Sequence, residues 1–145
     1  MKIALAADHG GYALKETVKK HLEGRGYETL DLGTNSADVS VDYPSYGEAC
    51  GRAVVEGKAD LGIVVCGTGI GISIAANKVP GVRCGLCTNT FMAEMTKRHN
   101  NANVIALGGR VLTDPIALQI VDAWLDAEYE GGRHQKRVDM LAEIK

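Results

Sequence analysis

Five short apolar runs, Ile3 to Ala7, Thr29 to Leu32, Leu61 to Cys66, Val82 to Cys87 and Val104 to Leu107, recur along these 145 residues with longer amphipathic stretches between them. A nearly continuous apolar run of four to six residues is too short for a buried helix and suits a strand covered on both faces. The stretches between carry the other period. Leu14, Val18 and Leu22 stand at four-residue spacing among Lys15, Glu16, Lys19 and Lys20, the pattern of a helix laid on a sheet, and Gly24 and Gly26 stop it. Further helices are expected over Ser45 to Val55, Ile70 to Asn77, Asn89 to His99 and Pro115 to Tyr129. In the last of these Pro115 takes a first helical position, and Ile116, Ile120, Val121, Trp124 and Leu125 form one stripe.

Strand and helix alternate throughout, and right-handed crossovers put the helices on the faces of a parallel sheet. The expected fold is α/β: a three-layer αβα, Rossmann-like sandwich around a five-stranded parallel sheet, as one domain over residues 1–145. The segment Gly131 to Arg137 followed by Val138, Leu141 and Ala142 reads as a hinge and a short helix, about residues 133–144, with little left to cover on its own domain. It is expected to pack on a partner subunit.

Composition excludes several classes of function. The formal net charge of −2, with no dense Lys/Arg block, gives no broad attraction to nucleic acid or to an anionic membrane. Met1-Lys2 leads straight into a strand-like run broken at Asp8, which is neither a signal peptide nor a membrane span, so a cytoplasmic protein is expected. Of the four cysteines, Cys84 and Cys87 have C-x-x-C spacing, but they lie in a predicted strand rather than at a helix start. They read as reduced core thiols, with a thiol redox site as the alternative.

In a sheet of this kind ligands bind beyond the carboxyl ends of the strands. Asp8-His9, Cys66 and Gly108-Gly109-Arg110 all fall there. Cys66-Gly67-Thr68-Gly69-Ile70-Gly71-Ile72-Ser73 turns from strand to helix through three glycines, so main-chain N–H groups and the positive end of a helix dipole face any anion at the turn. The spacing fits neither G-x-G-x-x-G nor a P-loop. Beside those donors the Cys66 thiolate is favoured and could serve as nucleophile or base; the plainer reading is a small buried side chain. Asp8-His9 is a polar pair at a strand end or a simple cap, and His99-Asn100 ends a helix whose dipole favours a cation or needs a C-cap. Arg133 and Arg137, at i and i+4 with His134 beside them, make either a fork for a phosphate monoester or a solvated basic helix end.

Taken together, Ala7-Asp8-His9-Gly10-Gly11, Asp31-Leu32-Gly33-Thr34, Asp42-Tyr43-Pro44, Cys66 to Lys78, His99-Asn100-x-x-Asn103-Val104 and Tyr129 to Val138 resemble ribose-5-phosphate isomerase B across essentially the whole chain. The resemblance implies an aldose-ketose isomerase interconverting ribose 5-phosphate and ribulose 5-phosphate through a cis-enediolate, with no metal and no cofactor. It also implies a homodimer or dimer of dimers with sites between subunits. On that likeness Cys66 matches the base between C1 and C2, and Asp8 and His99 match the groups that open the furanose ring. Gly67, Gly69, Ile70 and Gly71 match the cradle for the enediolate oxygens, and Thr68 matches a residue assisting proton traffic. Arg133 and Arg137, with His9, His134 and Arg110, match phosphate-binding positions, and Tyr43, Ser73 and Asn100 match substrate contacts. Relatives that use a glutamate in place of the cysteine carry it a few positions later, where this chain has Ile70. An isomerase of allose 6-phosphate or galactose 6-phosphate is the nearest alternative, and a non-catalytic sugar-phosphate sensor is another.

Overall fold

The computed structural model describes residues 1–145. Strands β1 (Lys2–Ala7), β2 (Glu28–Asp31), β3 (Leu61–Cys66), β4 (Cys84–Leu86) and β5 (Val104–Gly108) form one sheet in the order β2-β1-β3-β5-β4. Every pairing is parallel. Helices α1 (Tyr12–Gly24), α2 (Tyr43–Val55), α3 (Ile70–Asn77), α4 (Thr90–Asn100), α5 (Asp114–Asp126) and α6 (Arg133–Glu143) complete the chain.

Successive strand residues point to opposite faces, so each apolar run supplies two cores. On one face Ile3, Leu5, Ile63, Val65, Ile105 and Leu107 meet Leu14, Val18 and Leu22 of α1, Ala93 of α4, and Ile120, Val121 and Trp124 of α5. On the other, Ala4, Ala6, Val64, Cys66, Val104 and Ala106 meet Cys50 and Ala53 of α2 and Ile72 and Ala76 of α3. The second face is lined by smaller side chains, which lets α2 and α3 sit close to the sheet. Gly47 of α2 is tight enough against α3 that an added Cβ would fall 2.8 Å from Ala75 Cβ.

The three-layer sandwich and the parallel sheet are as expected, and the differences are local. Asn89 caps α4 by accepting the Met92 N–H at 2.8 Å, so the helix begins at Thr90 and runs through Asn100. In α5 the capping side chain is Thr113, and the helix stops at Asp126, short of Tyr129, because Ala127 turns extended. Ile116 points outward and Ala117 takes the buried place on the stripe. β4 is shorter than its apolar run, since the Val82 N–H turns back to the Val79 carbonyl.

Between β1 and β3 the sheet changes direction of winding: β2 lies on one side of β1, and every later strand lies on the other. Connections leaving the carboxyl ends of β1 and β3 therefore diverge and leave a crevice there. Asp8 follows β1 and Cys66 ends β3.

Candidate active site in two halves

At the carboxyl edge, the pairing of Ala7 with Val65 puts Asp8 level with Cys66, one strand spacing or ~4.8 Å across. Asp8 is buried, its N–H donating to the Val65 carbonyl at 3.2 Å and its Oδ1 accepting the Gly11 N–H at 3.0 Å. His9 Nδ1 accepts the Val41 N–H at 3.2 Å, an arrangement that assigns the ring hydrogen to Nε2. Cys66 is 5% exposed, and its Sγ accepts the Gly69 N–H at 3.2 Å. That hydrogen bond holds the sulfur against the turn of the glycine loop.

The glycines here have steric reasons. Gly69 takes φ +81°, and a Cβ there would lie 2.8 Å from both the Leu107 carbonyl carbon and Leu86 Cδ1. At Gly71 a Cβ would meet the Tyr43 ring at 2.6 Å, so the ring lies directly over the first turn of α3. Thr68 Oγ1 accepts the Ile70 N–H at 3.2 Å, and Ser73 Oγ donates to the Ile70 carbonyl at 2.6 Å. Ile70 itself is half exposed. The Arg110 main chain donates to the Gly67 carbonyl at 2.9 Å. Its guanidinium reaches over both glycine loops, Nη1 within 2.9 Å of where a Gly67 Cβ would be and Nη2 within 3.1 Å of one at Gly10. It has no ion-pair partner.

His99, Asn100, Arg133, His134 and Arg137 are not in this group. A helix following a parallel strand returns to the amino edge of the sheet, and α4 ends just before β5 begins at Val104. Val104 pairs with Gly62, four residues from Cys66, so the two edges stand ~13 Å apart along the strand alone. At this edge the His99 and His134 rings stack with centroids 4.3 Å apart and planes 13° from parallel. Glu130 lies against both: Oε2 accepts from Arg98 Nε at 2.7 Å and is 4.0 Å from His99 Nε2, and Oε1 is 3.4 Å from His134 Nε2. Arg98 holds the Glu130 carboxyl below the usual carboxylate range despite some burial. Burial, then the charges of Arg133 and His99, push the His134 imidazole below its ordinary value, with Glu130 acting in the opposite sense. Arg133 and Arg137 are exposed and carry no ion pair. Asn100 offers its carbonyl to Arg83 Nε at 3.0 Å and keeps an exposed side chain.

Arg98 lies outside the sequence motifs, and Glu130, four residues before His134, lies within the last of them with no role assigned to it. Donor atoms of His99, Glu130 and His134 lie within 4.8 Å of one another, a spacing a cation could bridge. Near-parallel imidazole planes do not converge on one point, however, so both rings would have to leave their stack to share an ion. The C-x-x-C pair Cys84 and Cys87 packs against the sheet's cores: burial drives the Cys84 thiol far up and Cys87 up to about 12. All four cysteines are free. A cavity of about 650 Å³ lies between the α3–β4 connection and α6, lined by Val79, Pro80, Val82, Val138, Leu141 and Ile144 among others. No helix is long and apolar enough to cross a membrane.

A Rossmann-like sandwich with a thiol and a glycine cradle at its topological switch point defines a small-ligand α/β protein. The chain belongs to the ribose/galactose isomerase family, whose sequence model matches residues 3–141. It is 48% identical over 144 residues to ribose-5-phosphate isomerase B of Escherichia coli strain K12, covering 99% of this chain and 96% of that one. Among solved structures, ribose-5-phosphate isomerase B of Clostridium thermocellum superposes with a TM-score of 0.97 at 55% identity, covering 99% of this chain and 96% of that one. The Mycoplasma genitalium enzyme with bound ribulose-5-phosphate superposes with a TM-score of 0.93 at 41% identity, covering 97% and 93%.

Proposed function

We propose that this chain is an aldose-ketose isomerase interconverting ribose 5-phosphate and ribulose 5-phosphate, with Cys66 as the base. The observation that carries the reading is the Cys66 sulfur at the tip of β3, 3.2 Å from the Gly69 N–H and level with Asp8. Isomerisation needs a proton taken from C2 of the open aldose, a place for the negative charge that appears on its oxygens, and the proton's return at C1. A thiolate at Cys66 accepts the C2 proton and becomes a thiol, which then delivers a proton to C1. N–H groups of the loop from Gly67 to Gly71, aimed from main chain that cannot rotate away, hold the enediolate oxygens meanwhile; losing one such donor typically costs ~2.7–4 kcal/mol of barrier. Thr68 assists the exchange between O1 and O2, and Tyr43, Ser73 and Ile70 border the sugar.

Asp8 and His99 open the furanose ring, and the phosphate is held by His9 and Arg110 on one side and by Arg133, His134 and Arg137 on the other. In one chain these sets lie at opposite edges of the sheet, which supports a site completed by a second copy supplying His99, Asn100, Arg133, His134 and Arg137. The homodimer, or a dimer of dimers, is part of this proposal, with α6 as the arm presented to the neighbour. Unpaired guanidinium groups on exposed turns suit a dianionic phosphate, and binding it anchors the sugar so that C2 stays near the sulfur.

The test compares turnover of ribose 5-phosphate, allose 6-phosphate and galactose 6-phosphate by the purified protein, with and without a chelator. The expected order has ribose 5-phosphate first and chelation without effect. Preference for a six-carbon sugar would move the substrate, and tight binding of all three without turnover would make the chain a sensor.

A further inference from the structure

We propose that Glu130 is a positioning residue for the amino-edge half of the site, holding His99 and His134 as one stacked unit and keeping the ring hydrogen of His134 on Nε2. Glu130 belongs to the irregular segment between α5 and α6. Its N–H donates to the Arg98 carbonyl at 3.0 Å, and its side chain accepts from Arg98 Nε at 2.7 Å, so both ends of the residue are tied to the last turn of α4. That leaves Oε1 facing the first turn of α6. His134 is 4% exposed, and its Nε2 is a buried polar atom with no aligned hydrogen-bond partner; the nearest acceptor is Glu130 Oε1 at 3.4 Å.

A neutral imidazole carries its hydrogen on one nitrogen, and a carboxylate facing Nε2 favours that nitrogen. The surroundings make the carboxylate necessary. The charges acting on His134 are those of Arg133 and His99 on one sign and Glu130 on the other, and Arg98, which holds Glu130, is engaged at 2.9 Å by Glu94. Without Glu130 no carboxylate would face either ring nitrogen, and α4 and α6 would meet here through the His99–His134 stack, with centroids 4.3 Å apart. The spacing between the ring-opening histidine and the phosphate fork is set at this point.

The kinetic consequence rests on the isomerase reading, whereas the position of the hydrogen does not, so the two fail separately. Long-range ¹H–¹⁵N correlation spectra of the wild-type chain should show His134 with its hydrogen on Nε2; a hydrogen on Nδ1 overturns the proposal with no variant required. Glu130→Gln keeps the shape, but its single carbonyl oxygen stays with Arg98 and its NH₂ then faces His134. The expected result is a hydrogen moved to Nδ1 and kcat/KM for ribose 5-phosphate lowered at least tenfold, with the unfolding midpoint nearly unchanged. Arg98→Met, which removes the tie to α4 but leaves the carboxylate, should keep the Nε2 hydrogen and lose less kcat/KM. An unchanged His134 or an unchanged kcat/KM in Glu130→Gln overturns the assignment, as does Arg98→Met reproducing both effects. If the wild-type chain does not turn over ribose 5-phosphate, the isomerase reading falls and the spectra alone decide the role of Glu130.

Discussion

At the carboxyl edge of the sheet a Cys66 that is 5% exposed receives the Gly69 N–H and is held by strand ends and glycine contacts, with Asp8, His9 and Arg110 beside it. At the amino edge the polar groups are long side chains on helix ends, with Arg133 and Arg137 exposed and unpaired. The first half is fixed by the same hydrogen bonds that make the fold, so its geometry is set before any ligand arrives. The second is assembled from side-chain pairs whose cost falls on rotamer freedom, and it depends on Glu130 and Arg98 for order. Chemistry needing accuracy suits the first half, and capture of a charged handle suits the second.

The largest effect should come from the rigid half. Cys66→Ala is expected to lower kcat by ~10³-fold or more while substrate binding, measured calorimetrically, persists. Activity equal to wild type would move the base elsewhere and dissolve the contrast. From the other half, Arg137→Ala should lower kcat/KM by ~10²-fold through loss of a charge-assisted phosphate contact and leave the unfolding midpoint unchanged, because the side chain is exposed and makes no ion pair in its own chain.

Mixing the two variants sharpens the comparison. A heterodimer of Cys66→Ala and Arg137→Ala chains has one intact site and one doubly damaged site, so random reassortment should restore about a quarter of wild-type activity in a two-fold dimer. No recovery in verified heterodimers would put both halves of the site in one chain.

Stability should separate the edges too. Lys15 is fully buried with Nζ 2.7 Å from Asp31 Oδ1, beneath the loop that follows β2. Burial opposes ionisation of Asp31, but Lys15, the Gly33 N–H and Lys19 together hold its carboxyl below the usual range. Lys15→Met should cost ~3 kcal/mol in urea unfolding, because it leaves a carboxylate without its buried partner.

The smallest effect is a pH dependence at the amino edge. His134 has its folded pKa below the unfolded value of 6.5, so the unfolded chain takes up that proton first. The associated stability is complete above pH 6.5 and is lost as pH falls through the lower folded value. The unfolding midpoint of wild type should therefore drop more than that of His134→Asn between neutral pH and about pH 5.

Periodicity carried most of the fold. Short, nearly continuous apolar runs and stripes at period 3.6 placed all five strands and the helices between them, and the strand ends identified Asp8, Cys66 and Arg110 as edge residues. The misses have local causes. Val82 belongs to an apolar run but spends its N–H in a turn, and α5 stops at Asp126, short of Tyr129, where Ala127 turns extended. Glu130 was hidden because it lies in neither period: its contacts to Arg98, His99 and His134 exist only once α4 and α6 are folded beside each other. The site roles themselves came from the resemblance, since a thiol after a strand is compatible with a packed core as well as with a base.

A cradle built of peptide N–H groups around Gly69 and Gly71 has no side chain that can be exchanged to reshape it. Substitution there fills the space the Tyr43 ring or the Leu107 carbonyl already occupies. On the isomerase reading, any retuning of which sugar is accepted has to come from side chains around those two glycines, Tyr43, Ile70 and the helix-end cations, where a side chain can change length or charge without disturbing the strand that holds the sulfur.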